Sequence, residues 1–225
     1  MYARSIALVA VTVLSLASLA AADTGERYHK AGVSSANMKL SICPRGDFED
    51  IRKGCGNQND YIWIQALDAE SDPMVGIPTT DYWFGACDHD QQLYLCAGAL
   101  VADSMTGRNG RTTFSGAIKA GGCAASGGIW ISIQGIIVTE APYSPNPLCL
   151  GIVMKSPDLT GPSGRPDGVV NLSDLVPFGS SYGTASGVPP PPGKTFNPCC
   201  DYNDDNACNL SDFAYFGLHY QHQCF

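Results

Sequence analysis

Twelve consecutive residues near the end of the chain carry oxygen donors at a spacing that suits cation binding. Counted from Asp201, positions 1, 3, 5, 9 and 12 are Asp201, Asn203, Asp205, Asn209 and Asp212. Calcium is a hard cation that gathers about six to eight oxygen ligands. A tight loop aims side chains 1, 3 and 5 at one centre, adds the backbone carbonyl of position 7 (Ala207), and is closed by the acid at position 12. Position 6 must turn with positive φ. Asn206 stands there, and Asn tolerates that conformation next best to Gly.

The pattern recurs upstream. Asn171-Leu172-Ser173-Asp174 matches Asn209-Leu210-Ser211-Asp212 at an offset of 38, and the match runs on to Tyr182 and Tyr220. Counting back from Asp174 puts Asn171 at position 9, Val169 at 7, Gly168 at 6 and Asp167 at 5. Asp158 and Thr160 take positions 1 and 3 if the five residues from Pro162 to Pro166 are an insertion. Doubling a loop's length costs only about 0.6 kcal/mol, so an insertion that bulges outward weakens the site modestly. All seven acidic residues from Asp158 onward are Asp, and six of them fall on positions 1, 5 and 12; Asp204 is the extra one. The competing reading, without metal, is a pair of Asx-turns capping two helices. The expectation is two calcium ions, with the uninterrupted second loop the stronger site.

This duplicated loop-helix unit resembles dockerin-type, EF-hand-like calcium repeats over 156–225, with repeats at 158–182 and 201–220 and a Pro-rich spacer at 188–193. The resemblance implies calcium-dependent folding, helices near Leu172–Tyr182 and Leu210–Tyr220, and docking on a cohesin module. Dockerins often dock through paired small hydroxyl residues at loop positions 10 and 11. Here those positions read Leu172-Ser173 and Leu210-Ser211, and the two Leu depart from that pattern.

The elements that must carry this tail read as β structure. Short alternating or β-branched runs occur at 38–43, 61–67, 82–84, 93–96, 112–118, 129–134 and 149–154, cut by Gly, Pro, Asn and Asp clusters. Such spacing predicts a mainly β, antiparallel sandwich over 38–155. Leu67-Asp68-Ala69-Glu70-Ser71-Asp72-Pro73-Met74-Val75-Gly76-Ile77-Pro78 and the turn from Asp103 to Thr113 resemble bacterial Ig-like domains. Residues 23–37 read as a loose lead-in. Residues 1–22 have a short basic start, an apolar stretch and Ala20-Ala21-Ala22, which predicts a signal peptide cut before Asp23. No later stretch is long and apolar enough to span a membrane after that cut.

Composition narrows the function classes. Of 225 residues, 21 are Asp or Glu and 13 Lys or Arg, a formal charge of −8, which argues against nucleic acid as partner. Ten cysteines in an exported chain predict disulfides. The absence of any CxxC argues against a cysteine-rich zinc site. The four tail cysteines are expected to pair among themselves, Cys199 and Cys200 with Cys208 and Cys224 in some order, because a bond between the adjacent Cys199 and Cys200 would be strained. Asp47, Glu49 and Asp50 read as a solvated loop, His219 and His222 as a surface face, and Tyr82, Trp83, Phe84 and Trp130 as sandwich core. No nucleophile or phosphate-binding motif appears. The sequence therefore points to a secreted, bacterial, non-enzymatic calcium-binding protein, free or cell-surface associated. Its role would be assembly or attachment through a cohesin-like or surface protein. The alternative is a carbohydrate-binding sandwich that takes a polysaccharide and carries a calcium-stabilised tail.

Overall fold

The computed structural model describes residues 29–34, 38–46, 52–53, 61–87, 93–99, 101–125, 128–137 and 149–224. The expected signal peptide, Cys55 and the Asp47, Glu49, Asp50 group lie outside them. In chain order the strands are β1 (Lys30–Val33), β2 (Met38–Ser41), β3 (Arg52–Lys53), β4 (Ile62–Gln65), β5 (Tyr82–Ala86), β6 (Leu93–Leu95), β7 (Arg111–Phe114), β8 (Ala120–Ala124), β9 (Ile129–Ile133), β10 (Ile136–Ile137), β11 (Val153–Lys155), β12 (Thr184–Ala185) and β13 (Ala207–Cys208). The helices are α1 (Leu175–Ser181) and α2 (Leu210–Leu218). The chain is mainly β, as its composition of short strands and turn residues requires.

Three sheets surround one core. Their strand orders are β1-β4-β7, β10-β9-β5 and β3-β2-β11-β8-β6. Period-two patterning decides which side chains point in. Met38 and Leu40 of β2 are buried between half-exposed Lys39 and Ser41, and Ile62 and Ile64 of β4 alternate with Trp63 and Gln65 in the same way. These side chains meet Phe84, Phe114, Ile131, Ile133 and Met154 in one apolar cluster. Tyr82 packs edge-on against Phe114, ring centroids 5.2 Å apart, the geometry aromatic quadrupoles favour.

Four expectations need correction. The sandwich is not purely antiparallel, because β11 runs parallel to β2, Met154 opposite Leu40. The lead-in is not loose throughout: β1 pairs with β4 and buries Ala31 and Val33. The tail helices are shorter than the repeat implied. The first begins at Leu175, preceded by a tight turn with Asp174 N–H donating to Asn171 C=O, and the second ends at Leu218.

The fourth correction concerns the cysteines. The tail cysteines do not pair among themselves. Cys96–Cys224 and Cys123–Cys199 join sandwich to tail, while Cys87–Cys149 closes the sandwich. The physical reason is that the tail packs on its own sandwich, which brings Cys199 and Cys224 against β8 and the end of β6. Loops of 76 and 128 residues each remove about 4–5 kcal/mol of unfolded-state entropy in the chain-entropy account. Cys200 and Cys208 are buried thiols, and Cys200 Sγ donates to Pro177 C=O at 3.7 Å.

Candidate metal centre

The two repeats close on each other with internal two-fold symmetry. Ala185 of β12 pairs with Ala207 of β13. Exchanging the repeats by the 38-residue offset turns that pair into Gln223 and Val169, which form the observed isolated bridge. Gly183 N–H donates to Cys208 C=O at 2.7 Å, and its counterpart, Gln221 N–H to Val170 C=O, measures 2.8 Å. Ser186 N–H to Asn206 C=O is 2.8 Å, and Cys224 N–H to Gly168 C=O is 2.9 Å. Each loop thus borrows the strand that follows the other repeat's helix. Between them Val170, Phe178, Cys200, Tyr202, Cys208 and Phe216 form a second apolar cluster, with Phe178 stacked on Tyr202. Neither repeat alone could bury these faces.

The loops share one hydrogen-bond register. Asp212 takes the N–H groups of Tyr202 and Asn203 on Oδ1, at 2.7 and 3.3 Å, and that of Asn209 on Oδ2 at 2.9 Å. Asp174 takes Leu159, Thr160 and Asn171 in the same roles, at 2.7, 2.7 and 2.8 Å. Asp201 accepts from Asp205 and Asn206, and Asp158 from Asp167 and Gly168. Asp167 and Asp205 turn back to Val169 and Ala207; Asn171 and Asn209 cap Ser173 and Ser211. Position 6 has positive φ in both loops, Gly168 at 80° and Asn206 at 66°. The extra segment folds on a turn with Gly164 N–H donating to Gly161 C=O, and residues 162–165 are exposed. The five residues therefore bulge outward and leave the register intact.

Electrostatics sharpen the picture. Asp158, Asp174, Asp201 and Asp212 are all buried, between 0% and 2% exposed. Desolvation, with the Asp174 carboxylate close by, pushes the Asp158 pKa up to about 7. Desolvation also raises Asp174 and Asp212, against the pull of their backbone N–H donors. Buried carboxylates crowded this way repel one another and call for a cation. The donor set is all oxygen, which fits calcium and not a thiophilic metal. In the second loop the carboxylate oxygens of Asp201, Asp205 and Asp212 lie within 4.8 Å of one another. Asn203 and Asn209 both donate Nδ2 to Asp205, at 3.0 and 3.1 Å. The trio Asp158, Asp167 and Asp174 does not close to the same distance.

Three residues that meet the loops were not apparent from sequence. Lys155, the last residue of β11, is buried and donates Nζ to Asp201 C=O at 2.6 Å and to Asp204 at 2.8 Å; Asp201 Oδ2 is 3.5 Å away. Desolvation lowers its pKa against the raising pull of Asp201. Asp204, the extra acid of the inventory, pairs with both Lys155 and Lys39. Gly121 of β8 faces the Asp158 side chain so closely that a Cβ there would fall 1.8 Å from Oδ2, and Gly122 N–H donates to Asp158 C=O at 2.7 Å. The adjacent Gly121 and Gly122 were the available signal; Lys155 leaves none in the sequence.

The aromatic group divides. Tyr82 and Phe84 are core, but Trp83 is 49% exposed. His219 is buried rather than on a surface face.

No family model matches the chain, and no curated protein matches it. Among solved structures it is similar to two type II Cohesin-X-Dockerin complexes from Acetivibrio cellulolyticus, an N-terminal and a C-terminal interface mutant. The alignments cover 86% of this chain and 97% of those chains at 14% and 12% identity, with TM-scores of 0.29. A TM-score that low carries no argument about a shared fold.

Proposed function

We propose that this chain is an extracellular, non-enzymatic calcium-binding protein, in which a dockerin-like tail, stabilised by two ions and clamped onto a β-sandwich, serves assembly or attachment. The observation that carries this reading is the duplicated set of buried carboxylates, Asp158 and Asp174 in one loop and Asp201 and Asp212 in the other, each in the same bonding register. Asp167, Asp205, Asn171 and Asn209, with the carbonyls of Val169 and Ala207, complete the oxygen set; Thr160 and Asn203 occupy position 3. Calcium, when bound, would neutralise these acids and hold the loops closed.

Leu172 and Leu210, at position 10 of the loops, are 66% and 68% exposed. They pack neither between the repeats nor on the sandwich, which leaves them to meet a partner such as a cohesin-like or surface protein. Three disulfides fit an oxidising compartment, and among the described residues no helix is long and apolar enough to cross a membrane. The test is binding of the whole chain to a panel of cohesin modules, in calcium and in chelator, beside Leu172→Asp/Leu210→Asp. Calcium-dependent binding that the double variant loses supports the reading; binding indifferent to both contradicts it.

One observation favours a second reading. Trp83 stands exposed on a groove of about 400 Å³ with Leu95 and Val101, and an exposed indole stacks on sugar rings. Retention on insoluble polysaccharide that Trp83→Ala abolishes would place the sandwich, not the tail, as the reader.

A further inference from the structure

The C-terminal turn brings three soft ligands together at the seam between sandwich and tail. Helix α2 ends at Leu218 and His219 is its C-terminal cap. Gln221 then adopts φ of 68°, which folds the chain back so that His222 N–H donates to His219 C=O at 3.0 Å. The two imidazoles meet edge to face, ring centroids 5.0 Å apart, with Nδ1 of His219 3.2 Å from Nδ1 of His222. Cys43 enters from the sandwich, just after β2. It is fully buried, and its Sγ lies 3.3 Å from His222 Nδ1. Ligand atoms of all three residues lie within 4.8 Å of one another.

We propose that Cys43, His219 and His222 form a zinc site, distinct from the calcium loops, that fastens the last turn of the tail to the sandwich. One thiolate and two imidazoles make a borderline-soft donor set, which zinc prefers and calcium does not. Zn–N bonds of about 2.0–2.1 Å and a Zn–S bond of about 2.3 Å, at tetrahedral angles, place two nitrogens about 3.3 Å apart and nitrogen and sulfur about 3.6 Å apart. The observed 3.2 and 3.3 Å are within a few tenths of an ångström of those edges. The ligands are also held. Tyr215, one helical turn before His219, packs its ring 5.2 Å from the imidazole. The His222 C=O accepts from Val170 N–H at 2.8 Å, and Cys43 C=O accepts from Ala120 N–H at 3.2 Å. His222 is half-buried, so an ion has a way in from solvent.

The experiment uses the whole chain, purified in excess calcium so that the loops stay filled, and then equilibrated with limiting zinc chloride. Metal analysis should find one zinc per chain. Cobalt(II) in place of zinc should give the charge-transfer band of a thiolate-bound tetrahedral ion. His222→Gln, at a half-buried position, and Cys43→Ser should each weaken zinc by more than the roughly 10–100-fold that loss of a mere supporting group costs, with calcium stoichiometry unchanged. If Cys43→Ser does not fold, His222→Gln and the wild-type cobalt spectrum decide. No bound zinc, a cobalt spectrum lacking the thiolate band, zinc affinity unmoved by His222→Gln, or a disulfide on Cys43 in the secreted chain would each overturn the proposal.

Discussion

Replacing Asp158 by Asn should make the calcium-free protein more stable and the calcium-loaded protein less stable. The sign follows from proton linkage. In the folded, calcium-free chain, burial and Asp174 hold the Asp158 pKa at about 7, against a reference of 3.8. Between those values the folded state keeps a proton that the unfolded state has released. Stability therefore falls as pH rises through that window, and is flat below and above it. Three units at about 1.4 kcal/mol each amount to about 4 kcal/mol lost by neutral pH. An amide does not ionise, so Asp158→Asn escapes that loss. It cannot serve both N–H donors, Gly168 at 2.9 Å and Asp167 at 3.3 Å, which costs about 1 kcal/mol. The net gain in chelator at pH 8 is about 3 kcal/mol; at pH 4 the variant should be slightly weaker than wild type. In millimolar calcium the order reverses, because the variant has lost a ligand. The assay is urea unfolding followed by near-UV dichroism, to which the stacked Tyr202 and Tyr215 of the tail contribute. If wild-type stability in chelator is constant from pH 4 to 8, or Asp158→Asn is destabilising at every pH without calcium, the buried acid is not held as described.

Other perturbations test the seam. Gly121→Ala should destabilise the chain by about 1–3 kcal/mol, read as a lower urea midpoint, because its Cβ has no room beside Asp158. Lys155→Met removes a buried cation that competes for Asp201 and should raise the calcium affinity of the second loop by at least about tenfold, two unit charges about 4 Å apart at an effective dielectric of about 20 being worth about 4 kcal/mol; calorimetry reads it, and unchanged affinity would show that the ammonium does not compete. Non-reducing peptide mapping should recover Cys87–Cys149, Cys96–Cys224 and Cys123–Cys199, and a Cys199–Cys224 peptide would contradict the clamp.

What was legible in the sequence was what is local. The twelve-position spacing is a property of one short segment, so the loop register, the outward bulge at 162–165 and the positive φ at Gly168 and Asn206 follow the text of the chain. Alternation was legible for the same reason in β2 and β4. What escaped depends on distant partners. Ala120-Gly121-Gly122-Cys123-Ala124 has no β-branched residue, yet it is a fully buried strand in which Gly121 leaves room for the Asp158 side chain. Lys155 reads as a solvent-facing strand end until Asp201 and Asp204 arrive over it. The parallel pairing of β11 with β2 spans over a hundred residues and leaves no local mark. Disulfide partners likewise cannot be read from spacing, and the assumption that the tail was self-contained assigned Cys199 and Cys224 to the wrong halves of the molecule.

The most direct test of the central claim is calcium calorimetry on the whole, calcium-stripped chain. Wild type should bind two ions, the loop of Asp201, Asp205 and Asp212 more tightly than that of Asp158, Asp167 and Asp174, since only the former brings its three carboxylates within 4.8 Å. Asp201→Ala should leave one weak site, and Asp158→Ala one strong site. Two undiminished sites in Asp201→Ala, or no calcium bound by the wild type, would contradict the account and leave the loops as helix caps.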